Sequence, residues 1–321
     1  MKRFQEISQQ FSTHFDRSHF PDQPETLYGA ASYMLEDGGK RIRPVLCLMG
    51  NELFVPIIPD TWKIASALEL FHNFTLIHDD IMDKAPLRRG KDTVHVKYNE
   101  STALLAGDIL LLRTYEYLNE AKLNHVQHLI RILNKTGKEI CEGQQMDMDF
   151  EKLTSISLDQ YMNMIELKTA VFLAASLQMG AIMAGAGETD QENIYAFGKN
   201  LGLAFQVQDD FLDSFGNPEK FGKQKGGDIL ANKKTFLLVH ALEKAGPAEK
   251  QIMENLIVSS AADKIEKMIK LFRESGADQA AMAAKHIYMD KAFTHLDLIQ
   301  VPAENKMALR ELADFLLERD S

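Results

Sequence analysis

Trp62 to Asp83 reads WKIASALELFHNFTLIHDDIMD. Apolar residues recur at three and four positions and period-two alternation is absent, so the stretch is an α-helix. Asp60 or Thr61 stands where a side-chain cap belongs, and Pro86 ends the helix within a residue or two of Lys84. Ala65, Leu68, His72, Leu76, Asp79 and Asp83 step by three or four along one face. That face starts apolar, turns polar and ends in two carboxylates. Carboxylates are misplaced at a helix C-terminus, whose carbonyls already carry partial negative charge. Asp79 and Asp83 are also i,i+4 neighbours, which costs like charges about 0.2–0.5 kcal/mol, and Asp80 adds a third charge. A solvated acidic helix end is one reading. The other is a Mg2+ site, in which one or two carboxylates share the ion with substrate phosphates and water.

The remaining chain extends the helical reading to an all-α fold. Prolines fall at 21, 24, 44, 56, 59 and 86 and then not until 218, which leaves room for several long helices. LLAGDILLLRTYEYL, HLIRILNKTGKEICEGQQMD and MIELKTAVFLAASLQMGAIMAG are rich in strong helix formers at helical spacing. ALEKAGPAEKQIMENLI, ADKIEKMIKLFRESG and MALRELADFLLERD read as shorter amphipathic helices. No convincing sheet and no low-complexity linker is visible, so one all-α domain over residues 1–321 is expected. The 321 residues are 45% hydrophobic, ample for a large core, and carry a net charge of −10. That charge argues against nucleic acid and anionic lipid as partners. Two cysteines without a CxxC pair argue against a disulfide framework or structural zinc and fit a reducing cytoplasm. The N-terminal MKRFQEISQQFSTHF is too polar for a signal peptide, and no run of roughly 18 apolar residues marks a membrane span. A cytoplasmic protein without stable membrane insertion is the expectation.

The aspartate pattern returns 130 positions later, in FQVQDDFLDSFGNPEKFGKQKGGDILANKKT. Asp209, Asp210 and Asp213 repeat the spacing, and Gly216, Asn217 and Pro218 stop the helix just beyond. Cations follow each cluster: Arg88 and Arg89 the first, Lys223, Lys225, Lys233 and Lys234 the second. Two copies of one unfavourable arrangement, each trailed by cations, point away from surface decoration. Opposed carboxylate faces would hold several Mg2+ ions, and those ions a diphosphate whose remaining oxygens the lysines and arginines neutralise. Upstream, LEDGGKRIRPVLC places Gly38 and Gly39 after one helix and Pro44 near the start of the next, with Lys40, Arg41 and Arg43 between. This is either an ordinary basic turn or a second anion site, where glycine lets backbone approach the ligand. Two diphosphate sites would mean two diphosphate substrates.

These motifs together resemble the trans-isoprenyl diphosphate synthases, or polyprenyl synthetases. GGKRIRP, HDDIMD with LRRG, LAGD at Leu105–Asp108, GQQMD at Gly143–Asp147, LKT at Leu167–Thr169, FQVQDDFLD, Gly222-Lys223 and NKKT occur in family order. The resemblance implies the isoprenoid synthase fold, a single-domain bundle of mostly antiparallel helices around a central cavity. It implies a Mg2+-dependent, head-to-tail condensation of isopentenyl diphosphate with an allylic diphosphate, by a cytoplasmic homodimer. Asp79, Asp83, Asp209 and Asp213 would hold Mg2+, three ions in all, with Asp80 and Asp210 completing the motifs. Arg88, Lys168, Lys223 and Lys233 would contact the allylic diphosphate; Gly39, Lys40, Arg43, His72 and Arg89 would hold isopentenyl diphosphate. Thr169 and Gln206 would lie beside the reacting carbons. On this reading Arg88 and Arg89 reach past the aspartates to the substrates and do not pair with them. No side-chain nucleophile is needed, and no Ser/His/Asp or Cys/His set stands out.

The resemblance also places the floor of the product cavity just before the first cluster. Phe71, Phe74 and Thr75 stand there, and DDIMD lacks a two-residue insertion. That pattern resembles geranylgeranyl-type synthases, so C20 is favoured and C15 comes next. Helical periodicity does not single out Phe74, which sits roughly 140° from Asp79, and both phenylalanines could equally be core. Two rivals share parts of the pattern. A terpene cyclase usually lacks the second DDxxD and has no use for GGKRIRP. A non-catalytic subunit of a heteromeric synthase typically has damaged aspartate motifs, and both are intact here.

Overall fold

A computed structural model describes residues 1–15, 19–36, 38–121, 123–216 and 226–317. The chain divides into two compact units. The first comprises Met1–Leu133, Ser176–Gln191 and Val301–Ala308. It holds α1 (Lys2–His14), α2 (Glu25–Leu35), α3 (Ile42–Glu52), α4 (Pro59–Met82), α5 (Val94–Lys97) and α6 (Glu100–Asn119). Between α4 and α5 lies a two-residue-per-strand hairpin, β1 (Leu87–Arg88) paired antiparallel with β2 (Lys91–Asp92). It is too short for any alternation to announce it, and it is the one sheet among the described residues.

The helix read from Trp62 to Asp83 is α4, with two adjustments. Neither Asp60 nor Thr61 caps it: Ile58 is the N-cap, without a side-chain hydrogen bond, and Pro59 opens the helix. Proline at the first position presets φ and loses only an N–H that would go unpaired anyway. At the other end Asp83 is the C-cap, its N–H donating to the Asp79 carbonyl at 2.8 Å. α4 lies along α6, with α3 on another side. Its buried face includes Ile64, Ala65, Leu68, Leu70 and Phe71, each large apolar residue worth about 1.5–3 kcal/mol of burial. Asn99 caps α6 by accepting from the Thr102 N–H at 2.8 Å.

Glycine sets how closely helices meet in this unit. A Cβ on Gly180, in the Ser176–Gln191 segment, would fall 1.9 Å from the Cys47 carbonyl oxygen; one on Gly50 would fall 2.3 Å from that of Leu177. Backbone therefore touches backbone there.

The second unit comprises Asn134–Ala175, Glu192–Gln300 and Leu309–Ser321. It contains most of α7 (Leu123–Glu151), then α8 (Leu158–Ile165), a π-helical turn π1 (Glu166–Ala170) and the start of α9 (Val171–Met183). Most of α10 (Glu188–Phe215) follows, then α11 (Gly227–Leu230), α12 (Phe236–Lys244), α13 (Pro247–Ile257) and α14 (Lys264–Glu274). α15 (Ala277–Leu298) and the end of α16 (Ala303–Leu317) complete it. Its core gathers Tyr161, Met164, Leu203, Phe236, Leu237, Phe272 and Ala281. A capping box starts α8: Ser157 Oγ accepts from the Gln160 N–H and Gln160 Oε1 from the Ser157 N–H.

Two features escaped the sequence pattern. π1 inserts a wider turn into what reads as one continuous helix, and such turns favour functional sites. Gly143 and Gly202 make room for it, since a Cβ on them would lie 2.4 Å from the Lys168 nitrogen and 2.8 Å from the Ala170 Cα. Second, Leu158–Met183 is long and apolar enough to cross a membrane, contrary to the expectation of no such run; 72% of its most apolar window is buried in the protein. It is a core helix. Cys47 is buried and Cys141 exposed.

Candidate active site

In the first unit the α4 C-terminus separates the three aspartates. Asp79 is half-buried, Asp83 is exposed and Asp80 is buried at 2% exposure. Asp80 receives Arg88 in a two-pronged pair, Nε at 3.0 and 2.8 Å and Nη2 at 2.7 Å. The expectation that Arg88 bypasses the aspartates is thus corrected. β1 folds back over the helix end and brings Arg88, eight residues on, against Asp80. Burial works against the Arg88 charge, but the Asp80 hydrogen bonds more than compensate and raise its pKa. Asp79 lies in the last turn of α4 and Asp83 is its C-cap, four residues on.

Arg89 and Gly90 form the hairpin turn, both at positive φ (53° and 82°), as a two-residue loop requires. That turn sets the Arg89 guanidinium against Gly39: a Cβ on Gly39 would lie 2.7 Å from Nη1. The GGKRIR turn has left-handed residues at Gly38, Gly39 and Arg41. Arg41 turns inward to pair with Glu69 and donates from Nη2 to the Leu35 carbonyl at 3.0 Å. Arg43 Nη1 lies 3.0 Å from His72 Nε2. Arginine can only donate, so His72 accepts there and carries its proton on Nδ1. Burial first, then Arg43, holds the His72 pKa well below its ordinary 6.5, and burial brings Arg43 down to about 10. Gly39, Arg43, His72 and Arg89 are therefore one cluster, with Lys40 exposed on the same turn.

Phe71 is buried, its ring 5.5 Å from Phe74. Phe74 in turn meets His78 edge-on at 4.8 Å. His78 lies over Gly107 of the LAGD motif, where a Cβ would fall 2.3 Å from its Nε2. Thr75 Oγ1 donates to the His72 carbonyl of its own helix at 2.8 Å.

The second unit encloses a cavity of about 530 Å³. Lys168, Thr169, Gln206, Asp209, Asp210, Asp213 and Lys233, all expected site residues, line it. The division seen at the first motif recurs. Asp209 and Asp213 are half-buried. The middle Asp210 is buried and tied into the fold: Tyr161 Oη and the Phe236 N–H (2.7 Å) donate to Oδ2, and Gln206 Nε2 to Oδ1 at 3.2 Å. Burial raises Asp210 to about 7, against those hydrogen bonds, which favour the charged form.

Cavity residues outside the expected set include the polar Tyr161, Asp147, Asp228, Lys234 and Thr235. Asp147 pairs with Lys168, which π1 presents. Asp228 stands 3.6 Å from Lys233, and its N–H donates to Asp213 Oδ2 at 3.0 Å. The position of Asp228 in GGD, between the lysine cluster and NKKT, was the available signal. Lys223 and Lys225 lie outside the described residues, as do Asn217 and Pro218; Gly216 does follow the end of α10. Among the described residues no three His, Cys, Asp or Glu side chains form a ready-made metal site. The donors present are hard carboxylate oxygens, the set that suits Mg2+ completed by phosphate and water.

The family model for polyprenyl synthetase matches residues 24–274. A short chain isoprenyl diphosphate synthase from Methanocaldococcus jannaschii is 37% identical, covering 98% of this chain and 94% of its own. A geranylfarnesyl diphosphate synthase from Natronomonas pharaonis is 34% identical over 92% and 91%. The crystal structure of geranylgeranyl pyrophosphate synthetase from Pyrococcus horikoshii Ot3 superposes with a TM-score of 0.93 at 32% identity, covering 99% of each chain. With both aspartate motifs in place at their helix ends, the chain belongs to the polyprenyl synthetase family and has its all-α isoprenoid synthase fold.

Proposed function

We propose that the protein is a short-chain isoprenyl diphosphate synthase, a prenyltransferase that joins isopentenyl diphosphate head to tail to an allylic diphosphate. The observation that carries this reading is the cavity in which Asp209, Asp213, Lys168 and Lys233 stand together. Hard oxygen donors beside cations suit a metal-bearing diphosphate and no neutral ligand. Asp79, Asp83, Asp209 and Asp213 are the residues that would hold Mg2+, in about three ions by the family pattern. Bound Mg2+ supplies charge stabilisation to the departing diphosphate.

Arg88, Lys168 and Lys233, with Lys223, contact the allylic diphosphate. Three of them pair with carboxylates in the structure, Arg88 with Asp80, Lys168 with Asp147 and Lys233 with Asp228, which would hold the cations in place before substrate arrives. Gly39, Lys40, Arg43, His72 and Arg89 bind isopentenyl diphosphate. Thr169 and Gln206 offer hydroxyl and amide oxygen to the cationic carbon left when the allylic C–O bond breaks. The isopentenyl double bond forms the new C–C bond, and the proton it sheds goes to diphosphate. The product is all-trans, C20 favoured and C15 next. The edge-on Phe71–Phe74–His78 contacts support a short cavity floor, and relatives named for geranylgeranyl (C20) and geranylfarnesyl (C25) diphosphate weigh toward C20 over C15. The family pattern supports a cytoplasmic homodimer.

The test is incubation with labelled isopentenyl diphosphate, Mg2+ and the C5, C10 or C15 allylic starter, followed by chromatography. Elongated trans products are expected. Turnover of an allylic diphosphate without isopentenyl diphosphate would reassign the protein as a cyclase, and inactivity on every starter would make it a non-catalytic subunit.

A further inference from the structure

The segment from Gly226 to Thr235 carries Asp228, Lys233 and Lys234 into the cavity. Its cavity side is tied to the second aspartate motif. The Gly226 N–H donates to the Asp213 carbonyl at 2.7 Å, the Asp228 N–H to the Asp213 carboxylate, and the Phe236 N–H to Asp210. The first turn of α14 meets the same segment from another side at two points. Gly226 sits at φ 74°, and a Cβ there would lie 2.8 Å from Ile265 Cγ2. Asn232 sits at φ 58°, and its Oδ1 accepts from Lys264 Nζ at 2.6 Å.

Lys264 is an unfavourable choice for its place. It is 4% exposed, and it opens α14, where the helix dipole already presents positive charge. Among the described residues its two acceptors are Asn232 Oδ1 and the Ile257 carbonyl at 2.8 Å, both neutral. A buried cation without a counter-charge is costly, and an apolar side chain would fill the same space more cheaply. One gain is local: Ile257 ends α13, so the ammonium satisfies a C-terminal carbonyl. That gain does not require Asn232, which reaches the same ammonium from a strained backbone position directly before Lys233.

We infer that Lys264 is a positioning residue for the allylic-diphosphate site: through Asn232 it fixes the backbone that presents Lys233. Ile265 against Gly226 holds the other end of the segment. The inference rests on Lys233 contacting that diphosphate.

The experiment is steady-state kinetics on the full chain for Lys264→Met, Asn232→Gly and the double variant, with Lys264→Arg and Lys233→Ala alongside. Glycine accepts the left-handed backbone and removes the acceptor, and Lys264→Met, which leaves Asn232 in place, separates loss of the hydrogen bond from the backbone freedom glycine adds. Losing a charge-assisted hydrogen bond predicts that each single variant raises KM for the allylic diphosphate about tenfold. KM for isopentenyl diphosphate stays within about twofold, the double variant is no worse than either single one, and Lys264→Arg restores most of the loss. A merely structural role predicts otherwise: additive losses, both KM values rising together, or a lower melting temperature with unchanged KM. Any of these overturns the inference. If Lys233→Ala raises the allylic KM while Lys264→Met does not, the positioning role alone fails. If Lys233→Ala leaves that KM unchanged, the underlying contact fails and the inference falls with it.

Discussion

Asp80→Asn separates the two jobs of the first aspartate motif. The change is isosteric and removes one charge from a pair whose three contacts span 2.7–3.0 Å. Asp80 is 2% exposed and the Arg88 side chain 29%. Removing one partner of a buried pair costs about 3–5 kcal/mol, and water that reaches Arg88 puts this case near about 3 kcal/mol. A chain of 321 residues has an unfolding entropy of about 0.7 kcal/mol/K, so the melting temperature should fall by roughly 4–5 °C. Because Asp80 is buried and engaged by Arg88, the Mg2+ concentration for half-maximal activity should stay within about twofold. Asp79→Asn should instead raise it about tenfold or more, with little effect on melting. Thermal denaturation and Mg2+-titrated initial rates measure both. An Asp80→Asn protein that melts normally but loses Mg2+ affinity as Asp79→Asn does would refute the tether and make Asp80 a ligand.

Three further outcomes are expected. Arg43→Ala should raise the apparent KM for isopentenyl diphosphate about tenfold and that for the allylic substrate far less; the opposite order in initial-rate kinetics reverses the site assignment. Phe74→Ala removes a ring that meets Phe71 and His78 edge-on, so chromatography should show longer products, and an unchanged product removes Phe74 from the cavity floor. Asp210 has a folded pKa raised from 3.8 to about 7, so its protonated form is the one the fold favours. In metal-free protein its contribution is complete below about pH 4 and lost as pH rises through about 7. Urea midpoints of wild type relative to Asp210→Asn should fall across that window, and a flat difference rejects the shift.

Which features were legible in sequence follows from their range. Helical periodicity, proline spacing and the doubled DDxxD are local signals, and they yielded the all-α fold and both aspartate motifs, whereas Lys168, Thr169 and Gln206 came from the family resemblance. Local propensity says little about where a helix begins when proline can open it without a cap, which is why Ile58 and not Asp60 or Thr61 precedes α4. A π-turn differs from an α-turn by one residue, and that difference is set by what packs on it, here Gly143 and Gly202.

The sequence alone determined that carboxylates crowd two helix ends and that cations follow each, because charge and spacing are written residue by residue. Only tertiary structure decided which carboxylate does what. Asp80 is a tether because β1 turns Arg88 back onto it, and Asp210 because Tyr161 and the Phe236 N–H reach it from other elements. Lys168 and Lys233 meet Asp147 and Asp228 for the same reason. Such partners lie 5 to 49 residues apart along the chain, at separations no helical period sets, and burial ties the middle carboxylate of each motif into the fold.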